Sequence, residues 1–138
     1  MIRYPVQIYP LQRLGKLLTL NGSVSGRAGD LAILRLLIDT GASYTIFPIA
    51  PLQDLGYDPN QSSIHRPIVT ASGIVRVPFI RVASFHCLGL HLQDYPVALY
   101  DLPRDSKVDG ILGMDFLAAN RAFIATHEAE IYMPIQSV

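Results

Sequence analysis

Asp39, followed by Thr40 and Gly41 at the end of the apolar run Leu36-Leu37-Ile38, is the residue best placed to do chemistry. An ionised carboxylate beside a buried strand is costly unless it is paired, protonated or used, so its position asks for a partner or a reaction. A carboxylate can activate water for attack on an amide when a second carboxylate lies close enough for the two to share one proton. One acid then polarises the carbonyl while the other takes the water's proton. The sequence holds a single Asp-Ser/Thr-Gly. The simplest source of the second acid is a two-fold homodimer with both Asp39 copies at the axis. In that arrangement Gly41 lets the backbone approach a neighbouring chain or a substrate without a Cβ, and the Thr40 hydroxyl can hydrogen-bond across the axis.

The elements that must hold such a site read as short strands separated by Gly, Pro, Asn, Asp and Ser, the pattern of an all-β domain. Lys16 to Leu20 is expected to end in a turn at Asn21-Gly22, with another turn around Gly26 to Asp30, and Leu31 to Ile38 is a mostly buried strand. Ile46 to Ala50 and Ile64 to Thr70 are shorter strands, and Pro51 to Ser63 is a loop or a brief helical turn. Ile74 to Val82, with Pro78 arguing for an edge position, pairs with Pro67 to Thr70 across Ala71-Ser72-Gly73 as a projecting hairpin. Ser84 to Leu92 and Tyr95 to Tyr100 are further strands, and Leu102 to Asp109 is an exposed polar loop. Asp115 to Asn120 is one short helix capped by Asp115, after which Arg121 to Ala125 and Ala129 to Met133 pair across Thr126-His127-Glu128.

Other constellations are weaker. Gly41-Ala42-Ser43-Tyr44-Thr45 nearly matches a nucleophile elbow, but Thr45 stands where a glycine is required and only His127 or His65 could serve as base. His86, Cys87 and His91 suggest a metal site until they are placed on one strand. There His86 and His91 face opposite sides, and Cys87 and His91 lie roughly 13 Å apart, so no metal is expected. Gly22, Gly26 and Gly29 lack the Lys-Ser/Thr of a phosphate loop. Arg76 and Arg81 read as solvent-facing residues of the hairpin strands.

Three segments together resemble the retroviral-type (retropepsin-like) aspartic protease family. Leu37 to Ala42 is similar to its catalytic motif, Ile111-Leu112-Gly113 to its later hydrophobic-hydrophobic-Gly motif, and Ala71 to Ile74 lies where the family places its flap. The resemblance covers roughly residues 16 to 120. It implies a closed, barrel-like acid protease fold and an aspartic endopeptidase active as a homodimer on polypeptides without a cofactor. The catalytic group would be Asp39, Thr40 and Gly41, and Ala42, Ala71, Ser72, Gly73, Ile74 and Ile111 would bind substrate. Viral members carry an acid shortly after the Ala and an Arg after the later Gly, where this chain has Ser43-Tyr44 and Met114. These differences resemble cellular or bacterial members more than viral ones. A non-catalytic dimerisation or peptide-binding module is the alternative reading.

Composition agrees with that expectation. The chain has 138 residues, half of them apolar, with 11 basic and 11 acidic side chains, so one domain over residues 1–138 is expected and no net field attracts a nucleic acid or an anionic membrane. Charged and polar residues interrupt Met1 to Leu20, which lacks the apolar core of a signal peptide. No run is long enough to span a membrane, and Cys87 is the sole cysteine. A cytoplasmic location is the corresponding expectation.

Overall fold

The computed structural model describes residues 2–135. Strands β1 (Val6–Pro10) and β2 (Gln12–Leu14) lead into β3 (Leu17–Ser25) and β4 (Leu31–Ile38). Then come β5 (Ile46–Phe47), α1 (Ile49–Asp54) and a 3-10 turn at Pro59–Gln61. Three long antiparallel strands follow, β6 (Ile64–Thr70), β7 (Gly73–Cys87) and β8 (Leu90–Leu99), and the described chain ends with β9 (Gly110–Leu112), α2 (Met114–Ala119), β10 (Phe123–Ala125) and β11 (Glu130–Pro134).

The main sheet runs β2-β3-β4-β9-β5-β8-β7-β6, and a further pairing of β3 with β7, centred on Val24 opposite Phe85, closes it into a barrel. Closure removes free edges from the body of the sheet, leaving the β6–β7 hairpin to project from it. The pairs β4–β9 and β5–β8 are parallel, so the loop after β4 and the segment after β9 leave the barrel side by side. A small sheet in the order β1-β11-β10 flanks the barrel.

Inside, alternate residues of the strands meet in one apolar cluster that includes Val24, Leu34, Leu36, Phe47, Phe85, Leu112 and Phe116. Phe85 sits at its centre, edge-on to Phe47 at 5.1 Å and to Phe116 at 5.9 Å between ring centroids. Each fully buried side chain of this size contributes about 1.5–3 kcal/mol. A second cluster, Ile46, Ile68, Val77 and Ala98, fastens the root of the hairpin to the barrel wall.

The closed all-β architecture and the hairpin match the expectations from sequence. Several elements differ. Two short α-helices are present where one was expected: the segment read as strand through Ala50 and loop from Pro51 breaks after Phe47, and Pro48 starts α1. The Ile49 N–H at the start of α1 donates to Asp101 Oδ1 at 2.9 Å, a cap from a residue 52 positions away that no local pattern reveals. Asn21-Gly22 is not a turn. Both residues lie inside β3, opposite Arg35 and Leu34, and a Cβ on Gly22 would stand 2.8 Å from Cε1 of Phe85. Glycine is there so that the core aromatic can cross beneath the strand. β7 is one long strand that includes Ser84 to Cys87, and the turn to β8 falls at Leu88-Gly89, within the segment expected as a single strand. That turn brings His86 directly opposite His91, with the rings stacked 3.8 Å apart, so the two share a face; Cys87 is buried. β1 and β2 add two strands ahead of those expected from sequence. Pro78 faces His65 on β6 just before the pairing of β7 with β8 begins at Phe79, so the strand has a neighbour on one side only at that point.

Among the described residues, no helix is long and apolar enough to cross a membrane.

Candidate active site

Asp39 follows the last residue of β4 as the chain turns out of the barrel. Its N–H donates to Leu112 O on β9 at 3.1 Å, and its own carbonyl accepts from Ala42 N–H at 3.2 Å. The carboxylate Oδ1 accepts from Gly41 N–H at 2.9 Å. The acid is half-buried while Thr40, Gly41 and Ser43 are exposed. A carboxylate anchored by its own backbone and by one amide, yet open to solvent, keeps an oxygen free to meet water.

The loop is held from below by α2, a helix too short to cap itself. The N–H groups of Met114 and Asp115 at its start donate to the carbonyls of Ala42 and Ser43, at 2.8 and 3.2 Å. These donors have no partner within a helix, and the loop supplies their acceptors. Gly113, at the N-cap, permits this approach, because a Cβ there would fall 2.6 Å from the carbonyl carbon and oxygen of Tyr44. Asp115 does not occupy the N-cap expected of it. It stands in the first turn, where Oδ1 accepts from Phe116 N–H and from the Thr45 hydroxyl, both at 2.8 Å, and Oδ2 accepts from Thr45 N–H at 3.0 Å. The fully buried Thr45 hydroxyl also accepts from Gly113 N–H at 3.2 Å. Burial, with the Asp115 charge adding to it, pushes the neighbouring Tyr95 phenol up beyond its ordinary range.

Above the loop, the β6–β7 hairpin closes a cavity of about 240 Å³ lined by Asp39, Gly41–Tyr44, Ile46, Pro67–Val69 and Ile111. Of the residues expected at the site, Asp39, Gly41, Ala42 and Ile111 come together there. Thr40 is exposed on the same loop and does not line the cavity. Ala71, Ser72, Gly73 and Ile74 form the hairpin tip beyond the cavity wall, with the turn pinned by the Thr70 hydroxyl, which donates to Gly73 O at 2.9 Å. Ser43, Tyr44, Ile46 and Pro67 to Val69 were not anticipated. The alternation of the strand before the tip could have indicated that Ile68 faces inwards, whereas the position of Tyr44 depends on α2 and was not legible. A second, more apolar cavity of about 550 Å³ lies across Leu37 and Ile111, between the β2–β3 turn and the Leu102 to Val108 loop.

Among the described residues there is no cluster of three or more His, Cys, Asp or Glu side chains able to hold a metal ion.

A family model described as aspartyl protease matches residues 20–116 of the chain. Among solved structures, a retropepsin-like aspartic protease from Rickettsia conorii is similar, with a TM-score of 0.65 and 18% identity over 96% of each chain. EIAV protease complexed with the inhibitor HBY-793 has a TM-score of 0.61 and 23% identity over 83% of this chain and 97% of that one. The retroviral protease-like domain of Ddi1 from Leishmania major has a TM-score of 0.55 and 13% identity over 88% of this chain and 94% of that one. At these identities the structural likeness establishes the fold. No curated protein matches the chain in a sequence comparison.

Proposed function

The chain belongs to the retropepsin-like aspartyl protease family, and from that premise we propose that it is an endopeptidase active as a homodimer, with the two Asp39 carboxylates sharing one proton and activating one water. The observation that carries this reading is the placement of Asp39: a half-buried, backbone-anchored carboxylate opening into a covered cavity beneath a projecting hairpin. The lone Asp-Thr-Gly in the sequence and the exposure of Thr40 and Gly41 support a two-fold arrangement in which each chain supplies one acid and the Thr40 hydroxyls brace the axis. A peptide would lie extended between the loop and the hairpin, held by backbone hydrogen bonds, with Ala42 and Ile111 presenting apolar walls and the tip from Ala71 to Ile74 folding over it. In this reading residues 1–138 act as one protease domain. One acid must carry a proton, so the rate is greatest in mildly acidic solution and falls as both carboxylates ionise.

The test is cleavage of a peptide library across acid to neutral pH by the wild type and by Asp39→Asn, with the mass in solution measured for both. Asp39→Asn should lose on the order of 10²–10⁴-fold or more of the activity while retaining the fold and the dimer. Peptide binding without cleavage, unchanged by the substitution, would instead identify a binding module.

A further inference from the structure

Arg66 lies on β6, the first strand of the hairpin, with its side chain turned towards the active-site loop. Its guanidinium carbon is 5.9 Å from the centroid of the Tyr44 ring and 5.5 Å from that of Phe79. The two rings meet edge-to-face at 4.9 Å, forming an aromatic corner on which the cation rests. Tyr44 forms a partition in the cleft: one side lines the cavity containing Asp39, and the other lines an adjoining space of about 320 Å³ that Arg66, Phe79 and Ile64 help to enclose.

Three charged side chains line that space: Arg66, Arg81 and Asp115. Asp115 accepts three hydrogen bonds from Thr45 and Phe116, so its oxygens are engaged by the protein. Arg81 donates from Nη1 to the carbonyl of Asp94 at 2.9 Å and lies 3.6 Å from that residue's carboxylate. Arg66 has neither: no carboxylate and no hydrogen-bond acceptor contacts its guanidinium among the described residues. A planar fork of five donors, positioned by two rings and left without an acceptor, is suited to a carboxylate approaching from the cavity.

We infer that Arg66 is a specificity-determining residue that selects peptides with an aspartate or glutamate at an outer position, beyond the wall formed by Tyr44. This rests on the protease reading above, which places an extended peptide along Gly41 to Tyr44. In a two-fold dimer the partner's copy of the same corner faces the other end of the peptide, so acids flanking the scissile bond on either side are both favoured.

The experiment uses peptide pairs that differ only by Glu against Gln at each position flanking the cleaved bond, with a Lys counterpart for each. Cleavage by the wild type and binding to Asp39→Asn are both measured. The wild type should prefer the Glu member by about tenfold in kcat/KM at one outer position on each side of the scissile bond, mainly through KM, and the preference should weaken as salt is raised. Arg66→Gln should bring the ratio close to one, Arg66→Lys should keep part of it, and Arg66→Glu should favour a Lys member, a reversal that mere loss of structure would not produce. An equal rate for both members with the wild type, or a ratio unchanged by all three variants, overturns the inference. If nothing is cleaved but Glu peptides still bind more tightly in an Arg66-dependent way, the endopeptidase reading fails and the role of Arg66 stands. If no peptide is cleaved or bound, both fail.

Discussion

Thr45 ties the loop that carries Asp39 to the start of α2. Its hydroxyl accepts from Gly113 N–H and donates to Asp115, while its own amide donates to the same carboxylate. Thr45→Val keeps the volume and removes the hydroxyl, leaving a buried amide and a carboxylate each one partner short. Thermodynamics then predicts a loss of about 2–4 kcal/mol, since an unsatisfied buried group costs its full desolvation. Urea titration of wild type and variant measures it, and a change below about 0.5 kcal/mol would mean that the bridge contributes little. Local sequence around Thr45 carries no sign of this role, because both of its partners lie about 70 positions away.

Among the elements, the parallel exit of β4 and β9 is what brings two distant motifs together. The register Ile38 opposite Leu112 places Asp39 beside Gly113, and α2 then caps its first turn on the carbonyls of Ala42 and Ser43. Gly113→Ala would drive a Cβ into the Tyr44 backbone, and neither partner is a flexible side chain that can swing away. The expected cost is about 1–3 kcal/mol of stability. Displacement of the loop should also lower kcat more than it raises KM, because the carboxylate moves while the hairpin stays in place. Steady-state kinetics of the variant distinguishes this from a simple loss of folded protein, which would leave KM unchanged and scale kcat with the folded fraction.

For the whole molecule, barrel closure determines how the protein meets alkaline solution. Cys87 ends β7 inside the closed core, and burial pushes its thiol up to about 12 from 9.0. Below about pH 9 the thiol is protonated in both the folded and unfolded chain. Above it the unfolded chain releases the proton while the folded one retains it, so stability falls by roughly 1.4 kcal/mol per pH unit until the folded thiol titrates near pH 12. The half-buried Tyr95 phenol acts in the same direction. Thermal unfolding followed from pH 7 to 11 should show the midpoint dropping above about pH 9, and Cys87→Ala should reduce that slope. An identical slope in the variant would assign the effect to other groups.

Local pattern determined a large part of this protein. Alternating apolar residues and turn dipeptides marked the all-β class, the hairpin from Ile64 to Val82 and the strand entering Asp39, because those signals arise between residues a few positions apart. The same locality misled at Asn21-Gly22, a turn dipeptide by composition that the fold uses as a passage for Phe85. It also misled at His86 and His91, which a turn at Leu88-Gly89 places on one face. Only the tertiary structure decided which hairpin residues line the cavity, the anchoring of Asp39 through Leu112, the Thr45–Asp115 bridge and the seating of Arg66 on Tyr44 and Phe79. Each of these depends on β-barrel closure joining residues distant in the chain, and no local propensity encodes the register at which distant strands meet.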